Sequence, residues 1–143
     1  MSNFDTVSVI TDNIHGVLKT TGINFTQKVF DDLEAVPASL LPLGAVYYSG
    51  ERFESAYGQR PLYAEAEYNI RVLVSGRDEV GLIRELQRWA HTVKEALTVD
   101  ALNTGSLAVS KPVSRVTVAR VDSENHRAVS SLGLRLAVRY REV

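Results

Sequence analysis

The sequence predicts an α+β fold: a largely antiparallel sheet of about five strands, with two helices packed on one face, in the order α-β-β-β-α-β-β. Two strands and one helix carry most of that prediction. From Leu62 to Ser75 the chain alternates, with Ala64, Ala66, Tyr68, Ile70, Val72 and Val74 on one side and Glu65, Glu67, Asn69 and Arg71 on the other. Strand side chains alternate with period two, so this segment buries one face and shows the other. Near the end of the chain Leu132, Leu134, Leu136, Val138 and Tyr140 repeat the pattern, with Arg135, Arg139 and Arg141 opposite. Between them, Leu82, Leu86, Trp89, Val93 and Leu97 fall on one arc at 100° per residue, the spacing of an amphipathic helix.

The remaining elements follow in order. Val7, Ile10, Ile14, Val17 and Leu18 recur at helical spacing from about Phe4 to Thr20, with Ser2 or Asn3 placed to cap and Gly22 to stop. Gly16 within that helix costs about 1 kcal/mol relative to alanine. Ile23 to Phe30 reads as a short strand, and Asp31 to Pro42 as a connection with a helical turn. Leu43 to Ser49 is a second strand, entered through Pro42, since proline cannot serve a central ladder. Gly50 to Pro61 reads as a long loop before the third strand, and its large residues Phe53 and Tyr57 favour a functional loop. The main helix spans about Asp78 to Leu97, roughly 30 Å at 1.5 Å per residue, and should lie across the apolar face of the sheet. Thr98 to Lys111 reads as a polar connection, Pro112 to Asp122 as the fourth strand, Ser123 to Ala128 as a turn and Val129 to Glu142 as the fifth.

Composition bounds the function. The 143 residues fit one domain with one core. A formal charge of -1 opposes the simplest nucleic-acid binder, which needs a basic surface to displace counterions. There is no cysteine, which removes disulfides, thiolate metal sites and a Cys nucleophile. The first residues lack the charged and apolar regions of a secretory signal, and no stretch approaches the roughly 20 apolar residues of a membrane span.

Chemistry is thinly represented. His15, His91 and His126 are isolated, and none forms a His-x-x-x-His pair. Asp12 and His15, three residues apart on a helix, read as a local surface hydrogen bond rather than a base and its orienter. Asp31, Asp32 and Glu34 cluster without the glycine and alternation of a calcium loop. No nucleophile elbow, Walker loop or dinucleotide-binding turn is present. The expectation is a protein that is not an enzyme and takes no cofactor or metal. The outward rows instead suggest contact surfaces, Glu65 and Glu67 on one strand and Arg135, Arg139 and Arg141 on the other. Pairing between these rows within the chain is the alternative, each pair contributing about 0.2–1 kcal/mol.

The order of elements resembles a known family. A first helix of some 17 residues, the segment Leu41-Pro42-Leu43-Gly44-Ala45-Val46-Tyr47-Tyr48-Ser49-Gly50-Glu51 and a loop come first. The alternating strand then runs into the helix ending Val93-Lys94-Glu95-Ala96-Leu97, and two strands close on Val138-Arg139-Tyr140. Over about Phe4 to Glu142 this is similar to the tail terminator family of tailed bacteriophages, also called minor tail protein U or tail completion proteins. The family shares a pattern of elements more than an invariant motif.

The resemblance implies a single tail-terminator-like domain and a homo-oligomeric ring, usually a hexamer. Such a ring caps the tail tube protein, ends its polymerisation and presents a docking surface to the head–tail connector protein. It implies a virion location in tail or neck, with assembly in the host cytoplasm, and no membrane or sequence-specific nucleic-acid partner. By position, Glu51, Arg52, Phe53, Tyr57 and Arg60 become the tube- and connector-facing residues. Glu65, Glu67, Arg135, Arg139 and Arg141 become subunit-interface candidates, since a head-to-tail ring needs two complementary surfaces per subunit. Another neck or head–tail joining component is the alternative, and a small ligand-binding α+β domain a further one.

Overall fold

The computed structural model describes residues 2–25, 38–54, 62–75, 79–126 and 129–143. Helix α1 (Asn3–Lys19) starts in a reciprocal capping box. The Ser2 hydroxyl accepts the Asp5 amide hydrogen at 3.1 Å, and the Asp5 carboxylate accepts the Ser2 amide at 2.9 Å. Those bonds from Ser2 hold the Asp5 carboxyl below the usual carboxylate range. Strand β1 (Asn24–Phe25) is parallel to β2 (Leu43–Phe53), which is antiparallel to β3 (Tyr63–Val74). Helix α2 (Glu79–Ala96) and the single turn α3 (Val99–Leu102) lead to β4 (Val113–His126) and β5 (Val129–Arg141). The five strands lie in the order β1-β2-β3-β5-β4, so the predicted α+β architecture and its antiparallel sheet are present.

Both helices contribute to one core on one side of this sheet. Ile10, Ile14 and Leu18 of α1 and Trp89, Val93 and Leu97 of α2 share it with the apolar rows of β3 and β5. Each of these core positions follows from the sequence periodicity. The stretch from Thr98 to Lys111 does not behave as a polar connection: Leu102 and Leu107 are fully buried. Asn103 explains how such a segment is held. Its buried side chain donates to the Val113 carbonyl at 2.9 Å and accepts the Val113 amide at 3.0 Å, extending the ladder at the start of β4. Asn13 of α1 donates to the Leu102 carbonyl at 2.9 Å, tying the helix to the same turn.

Two strands are longer than expected. β4 continues through Ser123 to His126, where a turn was expected, because Ser123 and Glu124 pair with Leu132 and Ser131. β2 continues through Gly50, Glu51, Arg52 and Phe53, so these residues belong to the ladder and not to a loop. The acidic cluster at Asp31, Asp32 and Glu34, and Tyr57 and Arg60 of the expected loop, lie outside the described residues.

Candidate functional site

A bulge in β2 decides which side chains meet. Tyr48 pairs with Tyr68 and Gly50 with Glu67, which leaves Ser49 as the extra residue. Before it, Val46 and Tyr48 face the helices, as their partners Ile70 and Tyr68 do. After it, Glu51 and Phe53 pair with Ala66 and Ala64 and take the helix side, while Arg52 pairs with Glu65 and turns outward. Gly50 sits at φ 144°, a backbone region that glycine alone enters without strain. One inserted residue therefore reverses the facing of the rest of the strand. Farther back, Gly44 leaves room for the Phe25 ring, which a Cβ there would meet at 2.5 Å.

On the helix side the bulge closes a groove of about 480 Å³ between the first turns of α1 and the end of the sheet. Phe4, Val7, Tyr48 and Phe53 form its apolar walls, and Asp12 and Glu51 supply its charge. Phe4 is 79% exposed, Phe53 65% and Tyr48 51%, an unusual grouping of large apolar residues in water. Glu51 anchors the floor. It accepts the Tyr48 hydroxyl at 2.7 Å and a short bond from the Tyr140 hydroxyl. Beneath it the Tyr68 hydroxyl pairs with that of Thr11 at 2.8 Å, and the Tyr48 and Tyr68 rings meet edge to face at 5.7 Å. Desolvation, followed by the hydrogen bond to Glu51, pushes the Tyr48 phenol up to about 12. Burial pushes Tyr68 up to about 12, with the Glu51 charge adding to it, and burial followed by the hydrogen bond to Glu51 raises Tyr140.

The opposite face of the sheet carries charges that answer one another. Glu65, only 9% exposed, accepts from Arg52 at 3.4 Å and from Arg115 at 3.3 Å. Arg115 also lies 3.9 Å from Glu54, whose other oxygen accepts the Arg139 Nε at 2.7 Å. Arg139 rests on the Tyr63 ring, 3.7 Å from its centre. Glu67 lies 4.0 Å from Arg52, and Arg71 lies 3.8 Å from Glu124. The network joins β2, β3, β5 and β4, and register explains it: Arg52, Glu65, Arg139 and Arg115 are successive cross-strand partners. Arg141 is engaged differently, donating to the Ser110 carbonyl at 3.1 Å. Arg135 is exposed and makes no ion pair among the described residues, lining a shallow polar depression with Asn69 and Tyr47.

Of the residues singled out from sequence, the structure thus separates two sets. Glu51 and Phe53 join the groove, with Phe4, Val7, Tyr48 and Tyr140, which the sequence reading did not assign to it. Arg52 joins Glu65, Glu67 and Arg139 on the open face. The missed groove residues come from α1, β2 and β5, far apart in the chain, and their convergence depends on the bulge at Ser49–Gly50. His15 is half-buried, and its pKa is lowered by that burial first and by Lys19 second, with Asp12 opposing. Among the described residues no group of three or more His, Asp and Glu side chains is arranged to hold a metal ion. Among the described residues no helix is long and apolar enough to cross a membrane.

No protein-family model matches the sequence, and no curated protein sequence matches it. Among solved structures, it is similar to a chain from the virion of a native gene transfer agent particle, with a TM-score of 0.51 and 13% sequence identity. The superposition covers 92% of this chain and 91% of that one, so the two share a fold nearly end to end.

Proposed function

We propose that this protein is a structural virion component that works by self-association and surface complementarity, without catalysis. In this reading it forms a ring, hexameric as in the tail terminator family, that caps a phage tail tube. The ring ends tube polymerisation and offers the head connector a docking surface. The protein is assembled in the host cytoplasm and resides in the tail or neck of the particle. The observation that carries the reading is the shared fold with a chain of a virion particle over nearly the full length of both chains. A cluster of exposed aromatic residues at one corner of the molecule supports it, because such side chains dominate binding energy at interfaces.

Mass measurement by light scattering, followed by negative-stain imaging, tests the proposal. The expected result is a six-fold ring, either alone or on addition of purified tail tubes, with tubes held at a fixed length. A chain that stays monomeric and leaves tube growth unchanged would overturn it. Binding to the connector with no effect on tube length would assign the alternative role of a joining component.

A further inference from the structure

Twice in this fold an arginine is held by a carboxylate and an aromatic ring together. Arg139 donates from Nε to Glu54 at 2.7 Å and rests on the Tyr63 ring, 3.7 Å from its centre. Arg88 donates to Glu85 at 2.7 Å and lies 4.5 Å from the centre of the Trp89 ring. The pairing has a physical basis, since a planar guanidinium turns its edge to a carboxylate and its weakly hydrated face to a ring. The groove beside α1 has the carboxylates and the rings but not the cation. Asp12 and Glu51 line it, and no lysine, arginine or histidine does. Among the described residues no guanidinium lies over Phe4, Tyr48 or Phe53, and Asp12 makes no ion pair. His15, three residues beyond Asp12, does not supply the charge: burial first, and Lys19 second, favour its neutral ring.

The two ends of the groove differ. Asp12 stands at one end, where its neighbour Thr11 meets the Tyr68 hydroxyl at 2.8 Å and Tyr68 packs against the Tyr48 ring. Phe4 and Phe53 stand at the other. There Asn3 donates to Glu142 at 3.4 Å, and Phe53 pairs with Ala64, whose partner on β5 is Tyr140. Phe4 and Asp12 both line the groove from α1, roughly 12 Å apart at about 1.5 Å per residue. An extended chain covers that span in about four residues at about 3.3 Å each. With a volume of about 480 Å³ and mostly exposed walls, the groove is open along this length to a chain segment.

We propose that the groove receives a segment of a neighbouring protein chain in which an arginine lies about four residues from a bulky apolar side chain. The guanidinium meets Asp12 and lies against the Tyr48 ring, and the apolar side chain enters between Phe4 and Phe53. Glu51 keeps its bonds to the Tyr48 and Tyr140 hydroxyls and adds its negative charge from the floor. Lysine is a poorer occupant, because its compact, strongly hydrated ammonium lacks the planar fork. An acidic segment would set like charges against Asp12 and Glu51 and is disfavoured. This contact rests on the reading of the corner as an assembly surface, but not on ring closure.

A library of random peptides displayed on filamentous phage, panned against the purified chain, tests the contact. Enriched peptides should carry an arginine about four residues from a leucine, phenylalanine or tryptophan. The best of them, labelled and followed by fluorescence anisotropy, should lose about tenfold in affinity when citrulline, uncharged but of the same shape, replaces its arginine. Lysine in that position should cost about threefold. On the protein, Asp12→Lys should weaken the arginine peptide by about tenfold and strengthen the same peptide carrying glutamate instead. Phe4→Ser and Phe53→Ser should each cost about tenfold or more. Circular dichroism should be unchanged in all three variants, since these positions are exposed. Enrichment of peptides without arginine, or binding indifferent to citrulline and to Asp12→Lys, would overturn the contact and leave the ring reading standing. A chain that never forms a ring yet selects these peptides upholds the contact and overturns the ring. A selected peptide that disperses the ring upholds the contact and puts the segment on a second copy. One that binds the intact ring upholds it and puts the segment on another protein.

Discussion

On the open face of the sheet, Arg52, Glu65, Arg115, Glu54 and Arg139 satisfy one another across four strands. At the corner where α1 meets β2, Phe4, Tyr48 and Phe53 are solvent-exposed around a carboxylate already bound by two tyrosines. The contrast separates two kinds of conspicuous sequence feature. Rows of like charge look like contact surfaces while each strand is considered alone. Register gives Glu65, Glu67 and Arg139 partners within the chain, because Glu65 falls between Arg52 on one neighbour and Arg139 on the other, while Arg135 makes no ion pair among the described residues. Among the described residues, the Phe4 and Phe53 rings are not covered in this way, and contact with another molecule would remove their apolar surface from water.

The largest effect is expected at Glu51, which holds the groove floor through the Tyr48 and Tyr140 hydroxyls. Glu51→Ala strands the buried Tyr140 hydroxyl and leaves that of half-exposed Tyr48 to water, and should cost about 3 kcal/mol in urea unfolding, given about 1.5–3 kcal/mol for a hydrogen bond to a charged group. Alkaline titration followed by tyrosinate absorbance sharpens the test. A phenol whose folded-state pKa is raised contributes stability that is present below pH 10 and lost as pH rises through about 12. In Glu51→Ala the Tyr48 transition should move down toward 10. A variant with unchanged stability and unchanged titration would show that Glu51 does not organise the groove.

How much of this was legible in the sequence depends on the range of the interaction. The inward rows of β3 and β5, the core stripe of α2 and the Ser2 cap follow from local periodicity and chemistry, and all are in place. The end of β2 was not legible. The run Gly50-Glu51-Arg52-Phe53 combines glycine and charge, the composition of a loop, yet cross-strand pairing with Glu67, Ala66, Glu65 and Ala64 holds it in the ladder. The bulge then reverses alternation, so period-two counting from Tyr48 would put Phe53 on the wrong face. Leu102 and Leu107 were missed for a related reason. The segment that carries them is tied down by Asn103 and Asn13 side chains reaching backbone groups in other elements. The groove was invisible because its walls come from three separated segments.

A smaller effect is expected on the open face. Glu65→Gln keeps the shape and removes the charge between Arg52 and Arg115, whose side chains are largely in water. Exposed partners screen the interaction, so the loss should be about 1 kcal/mol. It should shrink as salt rises, since ion pairs at this face are within reach of mobile counterions. Urea midpoints measured at low and high salt check both points. A loss as large as that at Glu51, or one indifferent to salt, would mean the open face carries more of the fold's stability than its exposure allows.

The smallest effect on the isolated fold should come from the most conspicuous residues. Phe4→Ser and Phe53→Ser remove rings that are already mostly in water, so each should change unfolding free energy by no more than about 0.5 kcal/mol. The same pair should abolish self-association, because truncating an aromatic anchor at an interface typically costs about 2 kcal/mol or more. Glu65→Gln should show the reverse, a loss of stability with association intact. Measuring unfolding and sedimentation on the same three variants therefore yields opposite patterns for the two regions. If Phe4→Ser and Phe53→Ser cost as much stability as a core truncation, the rings are structural and the corner is part of the core. If they change neither quantity, exposure alone does not mark a contact, and Arg135 on the open face becomes the next residue to reverse.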